Sequence, residues 1–148
     1  MRVDAEQLIT LSARNGHAHC LLCGQQNPRS WGLFFHRGEG TSVHGTLHPN
    51  DGLQGYDGML HGGVIASLLD AAMTHCLFHL GVQAVTGDLH VRFVQPVSCC
   101  ATVDVRAHIA SASPPLYYLK AELLEGDRVM AWGEATLIRR DRGRMARE

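Results

Sequence analysis

Residues 61–80, HGGVIASLLDAAMTHCLFHL, carry apolar side chains at 64, 65, 68, 69, 72, 73, 76, 77 and 80. That is helical spacing with little polar surface left over. A helix apolar nearly all round belongs inside a protein, not on its surface. Gly81 supplies the stop signal. A buried helix needs neighbours on several sides, and the rest of the chain offers mainly strands to provide them.

On either side of this helix the apolar period is two. Residues 33–37 suit a short strand. Residues 41–48 alternate Val43, Gly45 and Leu47 against Ser42, His44 and Thr46, the pattern of a half-buried strand. After the helix come 85–93, 101–109, 116–124 and 128–138, with 110–115 a connection and EGDR at 125–128 a turn. Four consecutive strands of the meander type imply an antiparallel sheet. The expected fold class is therefore α+β, an antiparallel sheet curved around one long central helix. Residues 3–14 are predicted as a short amphipathic helix capped by Asp4, and 15–32 as an ordered loop rich in Gly, Asn and Pro.

The chain has 148 residues, enough for one domain. We read residues 1–148 as a single domain, with 1–31 an N-terminal helix and loop extension and 140–148 a charged tail. Thirteen Lys and Arg against fourteen Asp and Glu leave a formal charge of −1, with no basic field to hold a nucleic acid. No apolar run approaches the ~18–20 residues that span a bilayer, and the N-terminus does not read as a signal peptide. The expectation is a cytoplasmic protein with neither a membrane nor a nucleic acid as partner.

The helix entrance carries the chemistry. Gly62 and Gly63 leave backbone N–H groups open at a helix N-terminus, where the dipole favours negative charge. Such a pair is either an oxyanion hole or a tight turn where strand and helix pack closely. Asp70 lies two turns further on, beside Leu68 and Leu69. Ala66, Ser67 and Thr74 share its face and none is cationic, so it faces solvent, a second chain or a site. Gly62 and Asp70 are eight residues apart, about 12 Å along one helix. A base and an oxyanion donor must both reach one reacting atom to within ~3 Å. If both act, two antiparallel helices from two subunits must supply one each.

LQGYDGMLHGGVIASLLDAAM at 53–73, with AVTGDLHVRFVQPV at 84–97, resembles the PaaI-like hotdog-fold acyl-CoA thioesterases. The resemblance covers about residues 20–139. It implies a sheet wrapped on one long helix, with strands pairing across a homodimer and a homotetramer as a further assembly. It implies hydrolysis of an acyl-CoA to free acid and coenzyme A with no cofactor and no metal. Gly62 resembles the oxyanion glycine, with Gly63 beside it. Asp70 resembles the catalytic carboxylate, a general base or nucleophile. Thr86 resembles the hydroxyl that holds the attacking water, reaching it from the facing subunit, and Thr74 a helper hydroxyl. Several relatives carry Asn or Gln seven residues before that glycine. Here the position is Gly55, and a one-residue shift would bring Gln54 into the role. His61 either fixes the turn by a hydrogen bond or touches substrate. The alternative function is a non-catalytic hotdog protein that binds acyl-CoA or a small acid.

HAHCLLCG at 17–24 competes for attention. Cys20 and Cys23 have C-x-x-C spacing with His17 and His19 beside them, a set that could bind zinc or form a redox pair, but the ligands crowd into seven residues and there is no second C-x-x-C. We read these as packed or free thiols in a structured loop. Met73 and Phe78 are expected in the core, and Asp88, His90 and Arg92 on a polar strand face.

Overall fold

The computed structural model describes residues 11–140. Of the helix expected over 3–14, residues 11–14 are helical and the rest lies outside the described residues. So does the tail from 141 on.

Strands β1 (His36–Arg37) and β2 (Val43–Leu47) precede a short 3-10 turn at Asp51–Leu53 and the central helix α1 (Gly62–Phe78). Strands β3 (Ala84–Phe93), β4 (Val103–Ser113), β5 (Leu116–Glu125) and β6 (Arg128–Arg139) follow. All six form one antiparallel sheet in the order β1-β2-β4-β5-β6-β3. The helix packs on it, as the sequence predicts.

Three expectations need correction. The strand over 33–37 shrinks to two residues, because Trp31 and Leu33 donate their N–H groups to Leu21 and Leu22 in the preceding loop. The connection at 110–115 is mostly strand: a bulge between Ile109 and Ser111 lets β4 resume pairing with β5 as far as Ser113. Finally, only β4, β5 and β6 form a meander. β3 does not neighbour β4, whose other edge is taken by β2, and pairs with β6 instead. It therefore closes one side of the sheet, and no other strand of the described residues pairs with its outer edge.

Between Leu68 and Phe78 every helical residue is buried except Asp70. Leu68, Leu69, Met73 and Leu77 face Leu119, Leu123 and Leu137 of the sheet, all inaccessible to solvent. Each such side chain contributes ~1.5–3 kcal/mol by leaving water. Gly133 on β6 allows the close approach. A Cβ there would stand 3.2 Å from the His90 carbonyl oxygen and 3.4 Å from a Leu69 methyl.

His75 is the anomaly of this core. It is 3% exposed, and neither ring nitrogen has a hydrogen-bond partner among the described residues. Its ring lies between Phe35 and Phe78, with centroids 4.6 and 4.9 Å away. Burial, with His17 and His79 adding to it, pushes the imidazole down to about 3. The unfolded chain therefore takes up a proton below its ordinary pKa of ~6.5 that the folded chain refuses. Above that pH both states hold the ring neutral and its titration contributes nothing to stability. Below it, stability should fall by ~1.4 kcal/mol per pH unit down to about pH 3. Denaturant titrations at pH 7, 6, 5 and 4 should show this slope in the wild type and a shallower one in His75→Phe. Equal slopes would reject the assignment.

Candidate active site

The loop before α1 is built to present the helix N-terminus. Gly55 N–H bonds the Met59 carbonyl at 2.9 Å and Leu60 N–H the Val97 carbonyl at 2.8 Å, tying the loop to the segment after β3. His61 is the N-cap. Its N–H donates to Leu53, and its Nδ1 accepts the Gly63 N–H at 2.8 Å. The imidazole thus does what a capping Asn or Ser does elsewhere. Holding a lone pair at Nδ1 leaves the neutral ring's proton on Nε2.

This cap separates the two glycines. The Gly63 N–H is consumed by His61. The Gly62 N–H, first in the helix, has no intrahelical acceptor and donates to none of the described residues. Gly62 also lines a cavity of about 600 Å³ walled by Tyr56, Met59, His61, Ile65, Phe93 and Val97. Gly63 lies outside that lining.

Asp70 is half-buried on the helix face turned to β3. Its Oδ1 accepts the Thr86 hydroxyl at 2.6 Å. Thr86 thus bonds the carboxylate of its own chain. Thr74 is not brought to the carboxylate. It is buried and its hydroxyl donates to the Asp70 backbone carbonyl at 3.0 Å, the usual resting place for a threonine within a helix. Gln54 lies outside the cavity lining. Its Oε1 accepts the Gly58 N–H at 3.0 Å and shapes the turn, while Gly55 lines the wall beside His61. The apolar walls at Met59, Ile65 and Phe93 and the polar side chains of Tyr56 and Gln95 escaped the sequence reading. Gln95 lies within the F-x-Q-P-V run that ends β3, and its nearness to the helix entrance follows only from the pairing of Leu60 with Val97.

The helix runs antiparallel to β3. Its start lies by Phe93, whose ring would be 3.5 Å from a Cβ on Gly62, and Asp70 lies by Thr86. One chain therefore holds a free N–H donor and a carboxylate on one line along a free sheet edge. They remain about 12 Å apart along the helix axis, too far to serve a single carbonyl.

The thioesterase superfamily model matches residues 57–131. The acyl-coenzyme A thioesterase THEM4 of Bos taurus is 30% identical over 84 residues, 57% of this chain and 34% of that one. The chain spans between about a third and a half of the length of the curated relatives it matches. Among solved structures, the thioesterase superfamily protein RHA08564 superposes with a TM-score of 0.76 at 24% identity, over 92% of this chain and 68% of that one. A phenylacetic acid degradation-related protein of Ralstonia eutropha JMP134 superposes with a TM-score of 0.71 at 16% identity, over 88% of this chain and 98% of that one. The sheet wrapped on a central helix is thus the hotdog arrangement that these neighbours share.

Proposed function

Because the chain belongs to the thioesterase superfamily, we propose that it hydrolyses acyl-CoA thioesters at two sites of a homodimer. Each site takes Gly62 from one chain and Asp70 from the other. The observation that carries this reading is the Thr86–Asp70 hydrogen bond at 2.6 Å. It orients a carboxylate, the one accessible group of an otherwise buried stretch of helix, towards a free sheet edge.

The edge supports the assembly. β3 is ten residues long, pairs on one side only among the described residues, and exposes Val85, Leu89 and Phe93. A long uncovered edge with apolar side chains is a template for a second strand. If two β3 strands pair antiparallel with Thr86 opposite Phe93, the twofold axis falls between Leu89 and His90. Gly62 lies by Phe93 and Asp70 by Thr86. That register therefore sets Gly62 of each copy against Asp70 of the other, which one chain alone cannot do.

The chemistry needs little more. The thioester carbonyl oxygen takes the Gly62 N–H as charge develops on it. Asp70, aligned by Thr86, removes a proton from water attacking the carbonyl carbon and passes it to the departing sulfur, or attacks the carbon directly to form a mixed anhydride that water then hydrolyses, the thiolate taking its proton from water. The C–S bond breaks, coenzyme A leaves as its thiol, and the acid is released. The apolar walls at Met59, Ile65 and Phe93 suit the acyl group, and Tyr56 with Gln95 offers polar contacts at the rim.

The test is thiol release from short-chain, long-chain and aryl-CoA substrates, run beside sedimentation of the same protein. Turnover should be confined to the dimer and should fall as dilution dissociates it. A folded dimer that binds acyl-CoA without releasing thiol would replace this reading with a binding role. An active monomer would remove the shared site.

A further inference from the structure

The other end of α1 carries a second cluster. We propose that His17, Cys20 and Cys23 bind a zinc-class divalent cation, which fastens the N-terminal loop to the C-terminal end of the helix. The ligand atoms of the three residues lie within 4.8 Å of one another, and Cys23 Sγ is 3.6 Å from His17 Nδ1. Crowding within a few residues is no obstacle here, because the chain winds into a knuckle. The Leu22 N–H points at Cys20 Sγ from 3.3 Å, and the Gly24 N–H bonds the Cys20 carbonyl at 2.9 Å. The winding is so tight that a Cβ on Gly24 would stand 2.3 Å from the Cys20 nitrogen, so only glycine fits.

The ligand chemistry selects the ion. Two thiolates and one neutral imidazole balance a doubly charged cation, leaving a neutral centre that suits its half-buried position. Binding releases the two thiol protons and uses the Nδ1 lone pair of His17. The half exposure of His17 and Cys20 leaves the fourth tetrahedral position to water. A Cys20–Cys23 disulfide would need neither the imidazole nor its approach to both sulfurs, so the three-fold gathering favours a metal. The site is also mechanically placed. The His17 ring packs edge-on against Phe78, the last residue of α1, with centroids 4.7 Å apart. Phe78 is sixteen residues from Gly62, ~24 Å along the helix, so the ion would brace the fold far from the reacting carbonyl.

The experiment uses the full chain, purified under reducing conditions and loaded with Zn²⁺ or Co²⁺ alone. We expect one ion per chain by elemental analysis and, with Co²⁺, a thiolate-to-metal charge-transfer band. Cys20→Ser and His17→Gln should each weaken Zn²⁺ binding by more than the ~10–100-fold that loss of an outer-shell contact costs. Cys100→Ser, exposed and outside the cluster, should bind as the wild type does. Chelation should lower the melting temperature. Circular dichroism establishes that each variant is folded, and His17→Gln serves if Cys20→Ser is not. A folded wild type without stoichiometric metal, wild-type affinity in Cys20→Ser, or a Cys20–Cys23 disulfide as the stable form under reducing conditions would overturn the site. None of these readouts depends on thioester hydrolysis.

Discussion

Asp70→Asn should leave a folded protein whose acyl-CoA turnover is lower by ~10²–10⁴-fold, the usual contribution of a positioned general base. The fold should survive because asparagine has the same shape. Its amide oxygen can accept the Thr86 hydroxyl that Oδ1 now accepts at 2.6 Å. Asp70 is half-buried with no cation beside it, so no ion pair is broken and the cost in stability should stay within ~1 kcal/mol. KM should change little, since the carboxylate acts on water and not on coenzyme A. Thr86→Val should give a smaller loss, about tenfold, because it frees the carboxylate to rotate without removing it. Stopped assays of thiol release at saturating substrate distinguish these outcomes. Full turnover in Asp70→Asn would eliminate the carboxylate from the mechanism, whatever the fate of the dimer.

The central helix was legible because nine apolar positions keep one period over twenty residues, and a single acidic residue in such a run stands out. That contrast singled out Asp70, and the family resemblance suggested its role. Hydrogen bonds settle on criteria that spacing does not carry. Gly62 and Gly63 look equivalent in the sequence, yet the imidazole of His61 claims one N–H and leaves the other. Thr74 and Thr86 both read as hydroxyls near the carboxylate, but the first bonds a helical carbonyl and the second the carboxylate itself. The place of β3 was not legible, since the chain cannot announce that β2 will occupy the edge of β4. Its own pattern misled in an informative way. Val85, Leu89 and Phe93 alternate as buried residues would, yet they stand exposed in one chain. That mismatch between pattern and burial is what the proposed β3 interface would leave in a single subunit. The gathering of His17, Cys20 and Cys23 was not legible in their spacing, since it takes the Gly24 knuckle to bring the three side chains together in space.

Gly62→Pro should cost most of the turnover by removing one N–H donor. Proline lacks the backbone N–H, and the first helical position is where a helix tolerates it best. The preceding residue is already suited to it. His61 sits at φ −61° and ψ 135°, the extended region a residue before proline prefers. Gly62→Ala is the control. It keeps the N–H, and its Cβ would meet only the Phe93 ring at 3.5 Å, an ordinary contact. The alanine variant should retain most activity, while the proline variant should lose ~10²–10³-fold in kcat, the measured scale for one oxyanion donor. The pair of dead variants then tests the geometry of the site. Mixed and allowed to exchange, Gly62→Pro and Asp70→Asn chains form heterodimers in which one site carries both lesions and the other carries neither. With half the dimers mixed and one of two sites intact in each, about a quarter of wild-type activity should return. If Gly62 and Asp70 of one chain served the same carbonyl, every site would hold a lesion and nothing would return.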